Sequence, residues 1–184
     1  MIFIAAASLL AATASYIRTG HAQQGFVTLA PEPAYYAWWL RADFHPFERQ
    51  VRGIPIQKIR STWCKASEFR RDLFPPELEF NDGLSFALDG NFDGSKVKQT
   101  ALVGAYESCA GGKGRFLLIL KWPRQGLPTV QFIEEIPTDR QFAILEARPD
   151  SSIIVWTCMC CDSASRLKWD RSRRRFGWHN LESY

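Results

Sequence analysis

Residues 100–122 read TALVGAYESCAGGKGRFLLILKW. Two runs rich in β-favouring residues, Thr100 to Tyr106 and Arg115 to Trp122, flank the segment Gly111-Gly112-Lys113-Gly114. Glycines there allow the positive φ of a hairpin turn. The run that follows them reads as a strand, so no helix N-terminus stands ready to cradle a phosphate. Outward from this hairpin the same texture continues, with short β-favouring runs at Leu84 to Leu88, Thr129 to Ile133, Gln141 to Leu145 and Ile153 to Cys158. Turn residues separate them at the spacing of a meander. A final hairpin has arms Leu167 to Trp169 and Arg175 to Trp178, with Asp170-Arg171-Ser172-Arg173 as its turn.

Upstream the pattern changes. Ile59, Trp63, Ala66, Phe69 and Leu73 recur at three- and four-residue steps, which predicts one face of an amphipathic helix. Ser61 or Thr62 would cap it and Pro75-Pro76 would end it, with Lys65, Glu68, Arg70, Arg71 and Asp72 on the solvated side. The aromatic run Tyr35 to Phe44 is expected to be a strand. The expected fold class is therefore α+β and β-rich: one N-terminal amphipathic helix packed on an antiparallel β-meander of about seven or eight short strands. No period repeats clearly enough for a solenoid or a full propeller.

With 184 residues, 46% apolar and 23% charged, the composition is that of a globular chain, and one domain is expected. A chain of this size buries roughly 70% of its unfolded surface, so its core needs neither metal nor disulfide. The apolar run Ile2 to Ala14 is too short for a membrane span of ~20 residues and reads as the core of an export signal. Small residues precede cuts after Ala14 and after Ala22, and Gln23-Gln24 favours the second. The expected organisation is a signal peptide over 1–22 and a single globular domain over 23–184, periplasmic or secreted, with no transmembrane span in the mature form. The net charge of +4, lowered by one when Arg18 leaves with the signal, is too weak to argue for nucleic acid. Arg171, Arg173 and Arg174 crowd near the C-terminus with Trp178 and form a candidate contact surface; as a plain hairpin, their charges are simply solvated.

Asp89-Gly90-Asn91-Phe92-Asp93-Gly94 places oxygen-bearing side chains at alternate positions before a glycine, the opening pattern of a calcium loop. With the strands after it, the segment Leu84 to Trp122 resembles one copy of the FG-GAP or VCBS type of repeat of secreted bacterial proteins. The resemblance implies a strand leading into an Asp-Phe-Asp-Gly loop and a Ca2+ site at Asp89, Asn91 and Asp93. Val97, Lys98 and Gln99 stand where that family offers a later Asp, and Lys96 and Lys98 add positive charge. Without the ion, Asp89 and Asn91 would bond their own backbone in a turn, and no cofactor would be needed.

Of five cysteines, Cys64 with Cys109 and Cys158 with Cys161 are candidate disulfides, which leaves Cys160 as a possible free thiol. Cys158, Cys160 and Cys161 around Met159 also suit Cu(I) or Zn, and Cys158 to Cys161 has redox-motif spacing, though it closes a strand instead of opening a helix. G-x-S-x-G, H-E-x-x-H and P-loop signatures are absent, and His21, His45 and His179 have no catalytic spacing. Glu77 with Glu79 and Glu134 with Glu135 are carboxylate pairs, but adjacent residues such as Glu134 and Glu135 point to opposite faces of a strand, and the pairs read as solvated strand ends. These features favour an exported, non-enzymatic binding protein, inhibitor- or immunity-like, whose sheet presents turns to a protein or envelope partner. The alternatives are a metal-handling module and an envelope-polymer hydrolase with carboxylates assembled by folding.

Overall fold

A computed structural model describes residues 25–30, 42–74, 85–136, 143–158 and 163–179. Of these residues 57% lie in strands and 6% in helical turns, and no helix reaches seven residues. In chain order the elements begin with β1 (Val27–Leu29) and β2 (Ala42–Phe44), which pair, then β3 (Gln50–Val51) and β4 (Ile54–Pro55), which also pair. Arg52 and Gly53 join β3 to β4 with φ of 51° and 82°, the two positive values of a tight two-residue hairpin turn. A one-turn helix α1 (Ile56–Ile59) leads into β5 (Trp63–Glu68), and a 3-10 turn follows at Arg71–Leu73.

Two antiparallel sheets come next. The first contains β5, β6 (Ala87–Gly90), β7 (Gln99–Ser108), β8 (Lys113–Lys121) and β9 (Thr129–Ile136). The second is the meander β10 (Ile144–Ala147), β11 (Ile153–Cys158), β12 (Ser163–Asp170) and β13 (Arg175–His179). β7 is long enough that β6 and β5 share one of its edges end to end, with β6 on Gln99–Leu102 and β5 on Gly104–Ser108. β8 takes the whole of the other edge. Reciprocal backbone bonds between Ser85 and Leu145, 2.8 and 2.7 Å, tie the β6 side of the first sheet to the β10 edge of the second.

The continuous apolar runs of β7 and β8 follow from burial on both faces. Ala101, Val103, Ala105, Leu117 and Ile119 join one core with Ile144, Leu145, Ile153, Val155, Leu167 and Phe176 of the second sheet. Phe26, Phe44, Phe69, Phe74 and Phe86 extend that core as a group of rings with centroids 4.9–6.0 Å apart. On the opposite face Leu102, Phe116, Leu118 and Leu120 pack against Val51, Ile54, Ile56, Ile59, Trp63 and Ala66. Each such side chain contributes about 1.5–3 kcal/mol when fully buried.

The N-terminal amphipathic helix is not formed; its residues make α1, β5 and the 3-10 turn, so the fold is mostly β and not the expected α+β arrangement. The reason lies at Cys64. The ladder between β5 and β7 pairs Trp63 with Ser108 and Lys65 with Glu107, so Cys64 is the extra residue of a bulge. The bulge shifts the alternation by one and brings Trp63 and Ala66, three apart, onto the same buried face. A bulged strand thus imitates helical spacing. Glu68, expected on a solvated helix face, is buried and accepts two bonds from the Arg52 guanidinium, at 2.7 and 2.5 Å. The bulged residue is bonded to Cys109 in the loop after β7, as one of the sequence pairings proposed.

The strands expected downstream are present with altered limits, and the last turn is Arg171 to Arg174, one residue later than expected. Of the aromatic run, only Ala42–Phe44 is described, as β2; the export segment, Pro75-Pro76 and Glu77 with Glu79 lie outside the described residues. No helix among the described residues is long and apolar enough to cross a membrane.

Two close approaches test this packing. Gly104 lies opposite Phe116, and a methyl group added to it would stand 2.3 Å from the Ser67 carbonyl oxygen and 2.5 Å from the Phe116 ring. Gly104→Ala is expected to lower stability in denaturant titrations by roughly 1–3 kcal/mol or more, through overpacking against a backbone that cannot retreat. Gly177, with nothing within 4 Å, is the control, and Gly177→Ala should stay within about 0.5 kcal/mol of the parent. The disulfide spans 45 residues of chain. Its removal by paired Cys64→Ser and Cys109→Ser changes should lower stability by about 2–4 kcal/mol, read by the same titration against the oxidised parent.

Candidate functional site

The two sheets close on one side and gape on the other. Where β6 meets β10 the Ser85–Leu145 bridge joins them. On the opposite side β9 and β13 are the last strands, and among the described residues their outer edges have no partner strand. The seam is held by rings: Phe132 of β9 meets Phe176 and Trp178 of β13 edge to face, with centroids 5.8 and 6.3 Å apart. Strand alternation then puts Glu134 and Ile136 on the same side of β9 as Phe132.

Beside these rings opens a cleft of about 210 Å3, lined by Glu134, Glu135, Ile136, Val155, Thr157, Ser165 and Trp178. Its origin is local. Register pairs Val155 with Ser165 and Leu167 with Trp178, so one inner face runs from Leu167 to the smaller Ser165. A register shift between Trp156 and Cys158 places Thr157 in the bulge beside it. Small polar side chains therefore replace large apolar ones where the sheets part. The Trp178 indole is 41% exposed, one of the few large apolar side chains left open to solvent.

The two adjacent glutamates serve different faces. The Glu135 carboxylate accepts the Trp63 indole N–H at 3.0 Å and the Tyr106 hydroxyl at 3.1 Å, and Arg60 stands 3.7 Å away. Tyr106 is stacked on Trp63 with centroids 4.5 Å apart, and burial together with the Glu135 charge raises its hydroxyl pKa. Glu134 makes no side-chain hydrogen bond or ion pair among the described residues. The two carboxyl groups do not face each other across a shared space, as the pair in a glycosidase must.

The aspartate loop has a different electrostatic arrangement. Asp89 accepts the Thr100 hydroxyl at 2.6 Å and pairs with Lys98 at 2.8 Å. Asp93, its side chain almost fully buried, accepts Lys121 at 2.7 Å, the Gln131 amide at 2.9 Å and the Ser95 backbone N–H at 2.8 Å. Burial alone would raise the Asp93 pKa, but these bonds outweigh it and hold the carboxyl well below its ordinary range. Lysine ammonium groups thus sit on the two carboxylates that the calcium pattern would use. Asn91 contributes its backbone carbonyl to the Gly94 N–H at 3.4 Å. Among the described residues no group of three His, Cys, Asp or Glu side chains is placed to hold a metal ion.

The C-terminal basic residues and Trp178 are separated in the structure. Arg171, Arg173 and Arg174 occupy the exposed β12–β13 turn, which Asp170 organises by accepting the backbone N–H groups of Ser172 and Arg173 at 2.8 and 3.1 Å. Trp178 lies at the far end of β13, in the cleft. Cys160 and Cys161 fall outside the described residues, and Cys158 is described only as the last residue of β11. His45 stands 2.9 Å from the Thr28 hydroxyl and 3.7 Å from Asp43. Both approaches use the same ring nitrogen, so the three residues do not form a relay from carboxylate through imidazole to nucleophile.

Comparison with protein families, with curated proteins and with solved structures finds no significant match. Sequence reasoning singled out Trp178 but took Glu134 for a solvated strand end and overlooked Thr157 and Ser165. The signal for the last two is a polar residue in strand phase with Val155 and Leu167, at positions that alternation makes inward.

Asp93 carries a pH prediction. A depressed carboxyl stabilises the fold above its unfolded pKa, and that contribution is lost as pH falls through the folded value. Asp93→Asn should therefore be less stable than the parent at pH 7, and the gap should narrow as pH drops below about 4. An equal gap at neutral and acid pH in denaturant titrations contradicts the role given to the charge.

Proposed function

We propose that this chain is a non-enzymatic binding protein that works outside the cytoplasm and engages a protein partner through the open seam between β9 and β13. The observation that carries the reading is the cleft itself, where a half-exposed indole and a carboxylate meet at two sheet edges, the carboxylate unpaired and the edges unpartnered among the described residues. Unpaired strand edges invite another chain, and an aromatic anchor beside a pocket is the usual centre of a protein interface. The Cys64–Cys109 disulfide supports an oxidising compartment, since such bonds persist in exported proteins and are rare in the cytosol. An inhibitor- or immunity-like role fits a small sheet that offers an edge and has one uncommitted carboxylate in its cleft.

The test is site-specific photocrosslinking in the native host. A benzophenone side chain replacing His179, beside Trp178 on β13, is expected to give an adduct of discrete mass. The same group replacing Lys96, on the exposed loop before β7, should give none. Identical patterns from both positions, or no adduct from His179, overturn the assignment of the seam.

A further inference from the structure

Resting on the reading of the seam as a binding site, we propose that its occupant is an extended strand of the partner that adds to the edge of β9 and inserts an arginine or lysine between Glu134 and Trp178. The cleft, about 210 Å3, is smaller than the roughly 300–1,000 Å3 of sites that enclose a whole small ligand, and it suits a single side chain. Its chemistry selects the charge. Glu134 is half-buried and has no cation among the described residues, while Arg60, at the end of α1, stands by Glu135 on the other face. A carboxylate drawn from water is stabilised by an opposite charge that follows it, and the Trp178 indole adds the attraction of an aromatic face for a cation.

The strand geometry makes the choice more specific. A residue directly opposite Glu134 on an added strand shares its face of the sheet, so its side chain enters the cleft on the side of Trp178. Residues two before and two after it lie opposite Phe132 and Ile136, both apolar, and so should be apolar themselves. The recognised pattern is thus apolar-x-basic-x-apolar in an extended chain. Backbone bonds to β9 supply affinity, and the basic residue supplies selection.

Four blocked peptides test this by calorimetric titration of the oxidised protein: Thr-Val-Thr-Arg-Thr-Val-Thr and its analogues with Lys, Glu or Ala at the centre. The Arg and Lys peptides should bind at least about tenfold more tightly than the Glu and Ala peptides, a difference of about 1.4 kcal/mol. Glu134→Gln should erase that preference while leaving the melting temperature within a few degrees of the parent. Equal affinity for all four peptides, or a preference that survives Glu134→Gln, overturns the basic residue as the selected group. Absence of binding by every peptide overturns strand addition. In either case a specific adduct from the His179 crosslinker keeps the seam as a binding site, and its loss removes both readings together.

Discussion

Strands β7 and β8 pair along nine consecutive positions, from Gln99 with Lys121 to Glu107 with Lys113, and both faces of the pair are covered. Every other element can be understood as part of that cover. One face takes the second sheet and the phenylalanine group; the other takes α1 and the β3–β4 hairpin. A polar group placed on such a strand must find its partner inside the protein. Thr100 does so by donating to Asp89 and accepting the Trp122 indole N–H at 2.8 Å. Arg115 lies over the Phe44 ring at 4.2 Å, and burial lowers its pKa to about 10 although Asp43 pulls the other way. On β5, the Ser67 hydroxyl accepts the backbone N–H groups of Phe47 and Glu48 at 3.1 and 3.3 Å, which fixes the approach of the segment before β3.

How much of this was legible depends on whether local composition or long-range register decides the element. The strands around Leu102, Leu118, Val155 and Phe176 carry β-favouring residues between turn residues, and they stand close to where the sequence placed them. The stretch from Ile59 to Leu73 misled because a bulge at Cys64 converts a two-residue period into a three-residue one, and the bulge is set by pairing with a strand some forty residues away. The cleft was illegible for a related reason. Glu134 and Trp178 are forty-four positions apart, and only the order of strands in both sheets shows that the two final edges face each other. Trp178 attracted notice as an aromatic residue among arginines, yet its setting is Phe132 and the seam, not the basic turn.

Charge is distributed with the same economy. Lys98 and Lys121 bring to Asp89 and Asp93 the positive charge that a divalent ion would otherwise supply, Lys98 from the end of the loop itself and Lys121 from the end of β8. In the β10–β11 turn Asp150 gathers Ser152, Lys168 and Arg166 around one carboxylate. Asp93 and Asp150 lie in turns and Asp89 at the end of β6, and each organises neighbouring strands. Glu134 departs from that pattern, and the departure is what distinguishes the cleft from the rest of the polar surface.

The shared edge of β7 also bears on how the chain comes together. β6 and β7 are joined by a short loop and can zip locally, while β5 must wait until the far half of β7 is in place, because its partners are Gly104 to Ser108. The bond from Cys64 to Cys109 encloses all of β6 and β7, so it retains in the denatured chain the proximity that β5 would otherwise have to find by diffusion. Oxidised protein begins refolding with the contact between β5 and β7 already preselected, and reduced protein must pass through a state with half of the β7 edge bare. That half-edge, flanked by the apolar residues of the central pair, is the surface on which a newly made chain most needs protection from its neighbours.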